Sequence, residues 1–354
     1  MSIIDQDTIN NTSITDRASS SSSSGILTTL PYLVNIYIGT FLCIMGNIGC
    51  IGNIIVFQSQ AFRSRAYTIY LFAETIFDFF VINIILLTRV IEKGYGIPVY
   101  NSPYDFICKI RQTGSYYFVL VSFTFFTLAT LDRVLCAQRS NSFRKWSNRV
   151  TLAYKMVIIS ILFWFILLCH RLYVYTAVKS KCNPRFDWYD EIDNYIEAVI
   201  MEICPLITVV VLAYLLRRSL RNAIERQTNV ATAATQTNTT KRSRLQQIDS
   251  QITLMLLLQS IMAIISFLPY GLEILYDHIT ESWNKSTLQL AIEKIIDQVT
   301  HTLLYAFFAS SFHISMISSS GFRREVKRIV LMKKKIHPIY TQTANTVAIQ
   351  PQYQ

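Results

Sequence analysis

Long apolar runs separated by short polar ones set the pattern of this chain. Seven stretches, roughly 30–57, 67–90, 113–135, 152–175, 198–216, 252–275 and 299–317, are dominated by Ile, Leu, Val and Phe. Each is close to the ~20 residues that carry a helix across ~30 Å of hydrocarbon. A backbone crossing hydrocarbon must satisfy its own donors and acceptors, so the pattern predicts an all-α membrane bundle of seven transmembrane helices over residues 30–320. Residues 1–29 are polar, end near the serine run Ser19–Ser24 and carry no signal-peptide pattern. They are expected to form a disordered extracellular tail, with the first span acting as its own insertion signal. Within the bundle the run "TNVATAATQTNTT" lies in a loop, about 225–244, that cannot bury a core and is expected to be disordered. After the last span, Phe322, Val326, Ile329 and Val330 alternate with Arg323, Arg324, Lys327 and Arg328. This predicts an amphipathic eighth helix over 321–335 lying on the membrane surface, followed by a tail over 336–354.

Composition agrees with that reading. The 354 residues are 51% hydrophobic and only 16% charged, too oily for a soluble domain with a mixed-charge surface. The charges are sorted by side. The segments between spans 1–2, 3–4 and 5–6, with the C-terminal segment, hold two thirds of the 33 basic residues but only the acids Asp132, Glu225, Asp249 and Glu325. The positive-inside rule therefore predicts a cytoplasmic C-terminus, an N-terminus outside and a multi-pass protein of the plasma membrane. Glycosylation acceptors at Asn10, Asn11 and Asn284 fall on the predicted outer side, whereas a fourth match at Asn238 falls on the inner side. The basic residues flank spans, where they anchor against anionic lipid, and no groove-reading motif accompanies them, so nucleic acid is not expected as a partner.

Topology also sorts the seven cysteines. Cys43, Cys50, Cys136, Cys169 and Cys204 fall in spans or at the inner edge, which leaves Cys108 and Cys182 as the one pair facing an oxidising compartment and predicts a disulfide between them. Cys108 and Arg133 lie 25 positions apart. A continuous helix of that length covers ~37 Å, so Asp132 and Arg133 are expected at the inner rim of the helix whose outer end carries the disulfide. Charges at such an edge must be paired, solvated or used.

With these features in order, the sequence resembles the rhodopsin-like (class A) G-protein-coupled receptors over roughly residues 30–335. Gly52-Asn53 with Val56 resembles the signature of the family's first helix, and Tyr70-Leu71 through Asp78 that of the second. Cys108 through Asp132-Arg133-Val134 resembles the third, Trp164 the fourth, Pro205 the fifth and Pro269 the sixth, and Phe322-Arg323 is similar to the start of the eighth. Two motifs depart from the family: helix six reads Ser266-Phe267-Leu268-Pro269, and helix seven reads Ser311-Phe312-His313-Ile314-Ser315. The helix-seven departure resembles invertebrate neuropeptide receptors of the FMRFamide-like type.

The resemblance implies roles for particular residues. Asp132, Arg133, Phe267 and Pro269 would form the activation switch. Asp78, with Glu74 one turn away on the same face, would hold a sodium ion, against the alternative of a protonated Asp78 bonded to neighbouring helices. The ligand pocket would draw on Arg111, Gln112, Tyr116, Glu202, Glu273, Asp297 and His301, an acidic and aromatic set suited to a peptide with a positive group. Glu202 has a second reading, as a partner of Arg111 or a loop lysine. The expected partners are an extracellular peptide or small-molecule ligand, a heterotrimeric G protein and membrane lipid. The alternatives are a chemosensory or orphan receptor for a small molecule and, more remotely, a seven-helix transporter or channel. Residues 299–317 contain no lysine for a retinal Schiff base, and Ser115 stands where monoamine receptors carry an aspartate. The sequence has no HExxH, no Gly-x-Ser-x-Gly and no metal-ligand cluster, so it is not read as an enzyme, and no metal site is expected.

Overall fold

The computed structural model describes residue 27 and residues 29–60, 62, 65–97, 105–137, 149–178, 181–233, 240–280 and 282–331. Helix dominates it. Helix α1 runs Thr29–Phe57, α2 Ala66–Gly94, α3 Asp105–Ala137 and α4 Val150–Leu168, the last continued by a short turn Arg171–Val174. A two-stranded antiparallel ribbon follows, β1 (Tyr175–Val178) with β2 (Lys181–Pro184), in register with Ala177 opposite Cys182. An unbroken helical path, α5, then covers 187–233, with a π-helical stretch Glu197–Ile203 just before Pro205. Helix α6 spans Thr240–Thr280, α7 Thr287–Ser318, and α8 covers 320–331.

Six of these helices are long and apolar enough to cross a membrane: α1 to α4, α5 over Val199–Arg221 and α6 over Ser250–Thr280. Helix α7 contains the expected seventh span but is not among them, because His301, His313 and a series of Ser and Thr hydroxyls dilute its apolar character. Those hydroxyls bond back to the helix's own carbonyls, as Thr302 does to Gln298 at 2.6 Å and Ser315 to Ser311 at 2.8 Å. The disordered loop expected over 225–244 is helical at 225–233 and 240–244, as extensions of α5 and α6; Ala- and Arg-containing turns that continue an existing helix need no new nucleus. Asn10, Asn11, Asn238 and the tail 336–354 lie outside the described residues, and Asn284 is exposed in the α6–α7 connection.

The helices close a ring in which α7 packs on both α1 and α6, α5 on α6, and α3 runs through the middle against α2, α4 and α5. The polarity is inverted relative to a soluble bundle. Outward positions are apolar and exposed, as with Phe41, Ile44, Ile48, Ile51 and Ile55 on α1 or Ile158, Leu162, Phe163 and Ile166 on α4. Interior positions include Asn53, Glu74, Asp78, Ser122 and Gln259, each no more than 2% exposed. Packing and interhelical hydrogen bonds, rather than hydrophobic transfer, hold helices together in such surroundings. At Gly52 the packing is tight enough that a Cβ would overlap the Phe312 ring, which brings α1 onto α7.

Candidate functional site

Helix α3 carries functional groups at both ends. At one end Cys108, fully buried, is bonded to Cys182 of β2, with their Cα atoms 5.6 Å apart. This pins the ribbon across the mouth of the bundle. Beside it lies a buried ionic network absent from the sequence reading. The Arg171 guanidinium is 2.8 Å from the Asp193 carboxylate, Tyr175 donates its hydroxyl to the same oxygen at 2.6 Å, and the guanidinium lies 3.4 Å from the Tyr116 ring centroid. Arg171 is 1% exposed and Asp193 3%, so the pair ties the end of α4, the ribbon and the start of α5 together beneath the protein surface. Burial, with Asp193 alongside, pushes the neighbouring Tyr189 phenol up to about 12. The available signal was a basic residue at the edge of span four, on the side otherwise rich in acids.

Below the ribbon opens a cavity of about 610 Å³, within the range of ligand pockets. Of the expected ligand residues, Arg111, Gln112, Tyr116 and His301 line it. Three cations face it, Arg89, Lys93 and Arg111, against one acid, Glu92, which is ion-paired with Arg111. Arg89 is held by Gln298 Oε1 at 3.1 Å. The expected acidic cavity is therefore redistributed. Glu273 faces an apolar groove between α6 and α7, and Asp297 lines a separate vestibule of about 610 Å³ with Asp277, His278, Glu293 and Lys294. Arg111 is ion-paired with Glu92, and the side chain of Glu202 lies outside the described residues. At the vestibule rim Lys285 bonds Glu293 at 2.8 Å, and that bond holds the Glu293 carboxyl below the usual range.

The cavity floor is aromatic. Phe267 packs edge-on against Phe123 and Phe307, with ring centroids 5.6 Å apart in both cases, half a turn below Pro269, the proline inside α6. Beneath this layer lies the polar interior. Ser122 donates to Asp78, Gln259 Nε2 donates to Glu74 at 2.7 Å, and Asn53 Nδ2 donates to Ser311 at 2.9 Å, so the divergent helix-seven serine bonds the asparagine of α1. Two buried acceptors, Glu74 Oε2 and Asn53 Oδ1, have no donor among the described residues.

At the far end of α3, Asp132 and Arg133 are 6% and 5% exposed. Arg133 Nη2 lies 2.6 Å from Asp132 Oδ2, and its guanidinium sits 4.3 Å from the Tyr67 ring centroid on α2. Helix α8 docks nearby through Phe322, whose ring meets Phe57, Phe62 and Phe312 edge-on. Val330, expected on the apolar stripe of α8, is 53% exposed. Gln251 of α6 accepts from the Gly321 amide at 3.1 Å and donates to Ser320 at 2.8 Å, which fastens α6 to the start of α8.

No sequence profile of a known family matches the chain, and no curated protein matches it at a significant level.

Proposed function

We propose that this chain is a seven-span plasma-membrane receptor of the rhodopsin-like type, which binds an extracellular ligand, a short neuropeptide, and signals to a heterotrimeric G protein. The observation that carries the reading is the layout of α3: a cystine and a covered cavity at one end, and a buried Asp132–Arg133 pair at the other. In this orientation the cystine faces outside and α7 supplies the seventh crossing. A cavity of about 610 Å³ takes a few residues of a peptide, and Arg89 and Lys93 offer charge-assisted hydrogen bonds to an acidic side chain or carboxylate. A ligand pressing on the floor at Phe267 changes the bend at Pro269, the opposite end of α6 moves away from α8, and Arg133 leaves Asp132 for the G protein.

Asp78, Glu74 and Ser122 would hold a sodium ion in this reading. The two buried oxygens without donors, on Glu74 and Asn53, are the acceptor chemistry a hard cation takes. The deciding experiment is a neuropeptide library applied to cells expressing the chain, read by calcium and cAMP. Activation by peptides, lost on Arg89→Ala with surface expression unchanged, is expected. Surface-expressed protein that yields no response across the library and across G-protein classes would overturn the reading.

A further inference from the structure

We propose that Glu273, Asp297 and His301 form a binding site for a transition-metal dication, Zn²⁺, that bridges α6 and α7 at the disulfide end of the bundle. The three side chains each offer one donor atom, and these atoms lie within 4.8 Å of one another. Asp297 and His301 stand four apart, on one face of α7, with His301 Nδ1 2.7 Å from Asp297 Oδ1. Glu273 comes from the facing helix, one turn beyond Pro269.

Glu273 supplies the second, independent observation. It is 8% exposed, and among the described residues its buried Oε2 has no partner at hydrogen-bond geometry, with the Asp277 carboxyl one turn on as a further neighbour. Leaving such an oxygen dry and unpaired costs free energy, and a cation removes that cost. No lysine or arginine ion-pairs with either carboxylate among the described residues; the guanidinium of Arg89 acts on them only at longer range. Two carboxyl groups and an imidazole therefore converge in one place, and a dication that takes them as carboxylates and neutral imidazole displaces their protons and balances the charge.

The donor set selects the metal. One imidazole with two carboxylates suits Zn²⁺, whereas Ca²⁺ and Mg²⁺ take all-oxygen shells of six or more. Tetrahedral coordination at Zn–N and Zn–O distances of about 2.0–2.2 Å places donors roughly 3.4 Å apart, so the cluster closes by rotamer adjustments of about an ångström. Three protein ligands leave the fourth position for water or an exogenous group. Asp297 and His301 also line the outer vestibule, which gives the ion a route in. A bound ion would fasten α6 to α7 above the proline bend; if the receptor reading holds, this restrains the movement of α6 and makes Zn²⁺ a modulator of signalling.

The test uses the full chain, purified in lipid nanodiscs, stripped with chelator and titrated with ZnCl₂, with no ligand or G protein present, so its outcome is independent of the receptor reading. One saturable Zn²⁺ site per chain with micromolar affinity is expected. Glu273→Gln and His301→Ala each lose it, while His278→Ala, in the same vestibule but outside the cluster, retains it. Co²⁺ in place of Zn²⁺ should show the visible absorption of a tetrahedral N/O site, abolished by excess Zn²⁺. Metal-free thermal transitions matching wild type establish that each variant is folded; if His301→Ala fails that criterion, His301→Gln takes its place. Absence of a saturable site in the wild type, binding by folded Glu273→Gln and His301 variants equal to wild type, or loss of the site in folded His278→Ala would overturn the proposal.

Discussion

Gln259 on α6 donates a hydrogen bond of 2.7 Å to Glu74 on α2, across the interior of the bundle and between residues 2% exposed. Among the described residues the remaining Glu74 oxygen has no partner, so this bond is the carboxyl group's link to a protein donor. Replacing Gln259 by leucine leaves a buried carboxyl without a donor. The expected loss is about 1–2 kcal/mol, read as a lower thermal transition of the purified protein. Glu74→Gln, which can still accept from Gln259, should lose less; an unshifted transition in Gln259→Leu would show that the bond contributes nothing.

The Arg171–Asp193 pair makes a sharper case because both partners are charged and buried. Removing one leaves the other uncompensated, so Asp193→Ala is expected to destabilise by about 3–5 kcal/mol, whereas Arg171→Met with Asp193→Leu together recovers much of the loss. Chemical or thermal unfolding of the three proteins tests this. A double variant as unstable as the single one would mean the site needs its charges.

The bond between Cys108 and Cys182 closes a loop of sequence separation 74. Loop-closure entropy gives about 4 kcal/mol for such a link. Under the proposed function, either serine variant should reach the cell surface poorly and bind no ligand. Thiol alkylation with and without reductant, followed by mass spectrometry, reports the pairing directly, and two freely alkylated thiols in the unreduced wild type would exclude it.

Asp132→Asn removes the carboxylate charge that holds Arg133 and leaves the Tyr67 ring beneath the guanidinium. Under the proposed function this raises basal G-protein signalling severalfold in cells, at matched surface expression. Basal and ligand-evoked signals equal to wild type would remove these residues from any switch.

Sodium offers an independent check on Asp78. Under the proposed function, agonist affinity of the wild type should fall as sodium replaces an inert cation at constant ionic strength, and Asp78→Ala should be flat. A wild type insensitive to sodium would leave the carboxyl as a purely structural group bonded to Ser122.

Much of this architecture is written in one dimension. The apolar runs predict seven spans; six of the helices are long and apolar enough to cross and α7 carries the seventh run, because a span's length and oiliness are local properties fixed by hydrocarbon thickness. The pairing of Cys108 with Cys182 is legible by elimination, and the Asp132–Arg133 contact follows from adjacency in the chain. The allocation of ligand residues was not legible. Sequence places Glu273, Asp297 and Arg111 at similar depths, but the rotation of each helix about its own axis decides which wall of which cavity a side chain joins. That rotation turned Arg89 and Lys93, absent from the expected set, into the central cavity, and turned Glu273 toward Asp297 and His301.

By itself, then, the sequence determined the all-α class, the positions of the spans, the side-to-side sorting of charge and the single cystine available. Only the tertiary structure decided that Arg171 meets Asp193, that Gln259 reaches Glu74, that residues 175–184 form a ribbon, and that the cavity beneath it is basic. The division has one physical cause. Crossing a membrane is a property of about twenty consecutive residues, whereas a contact between helices depends on the tilt and rotation of both, which are set by packing summed over the whole bundle.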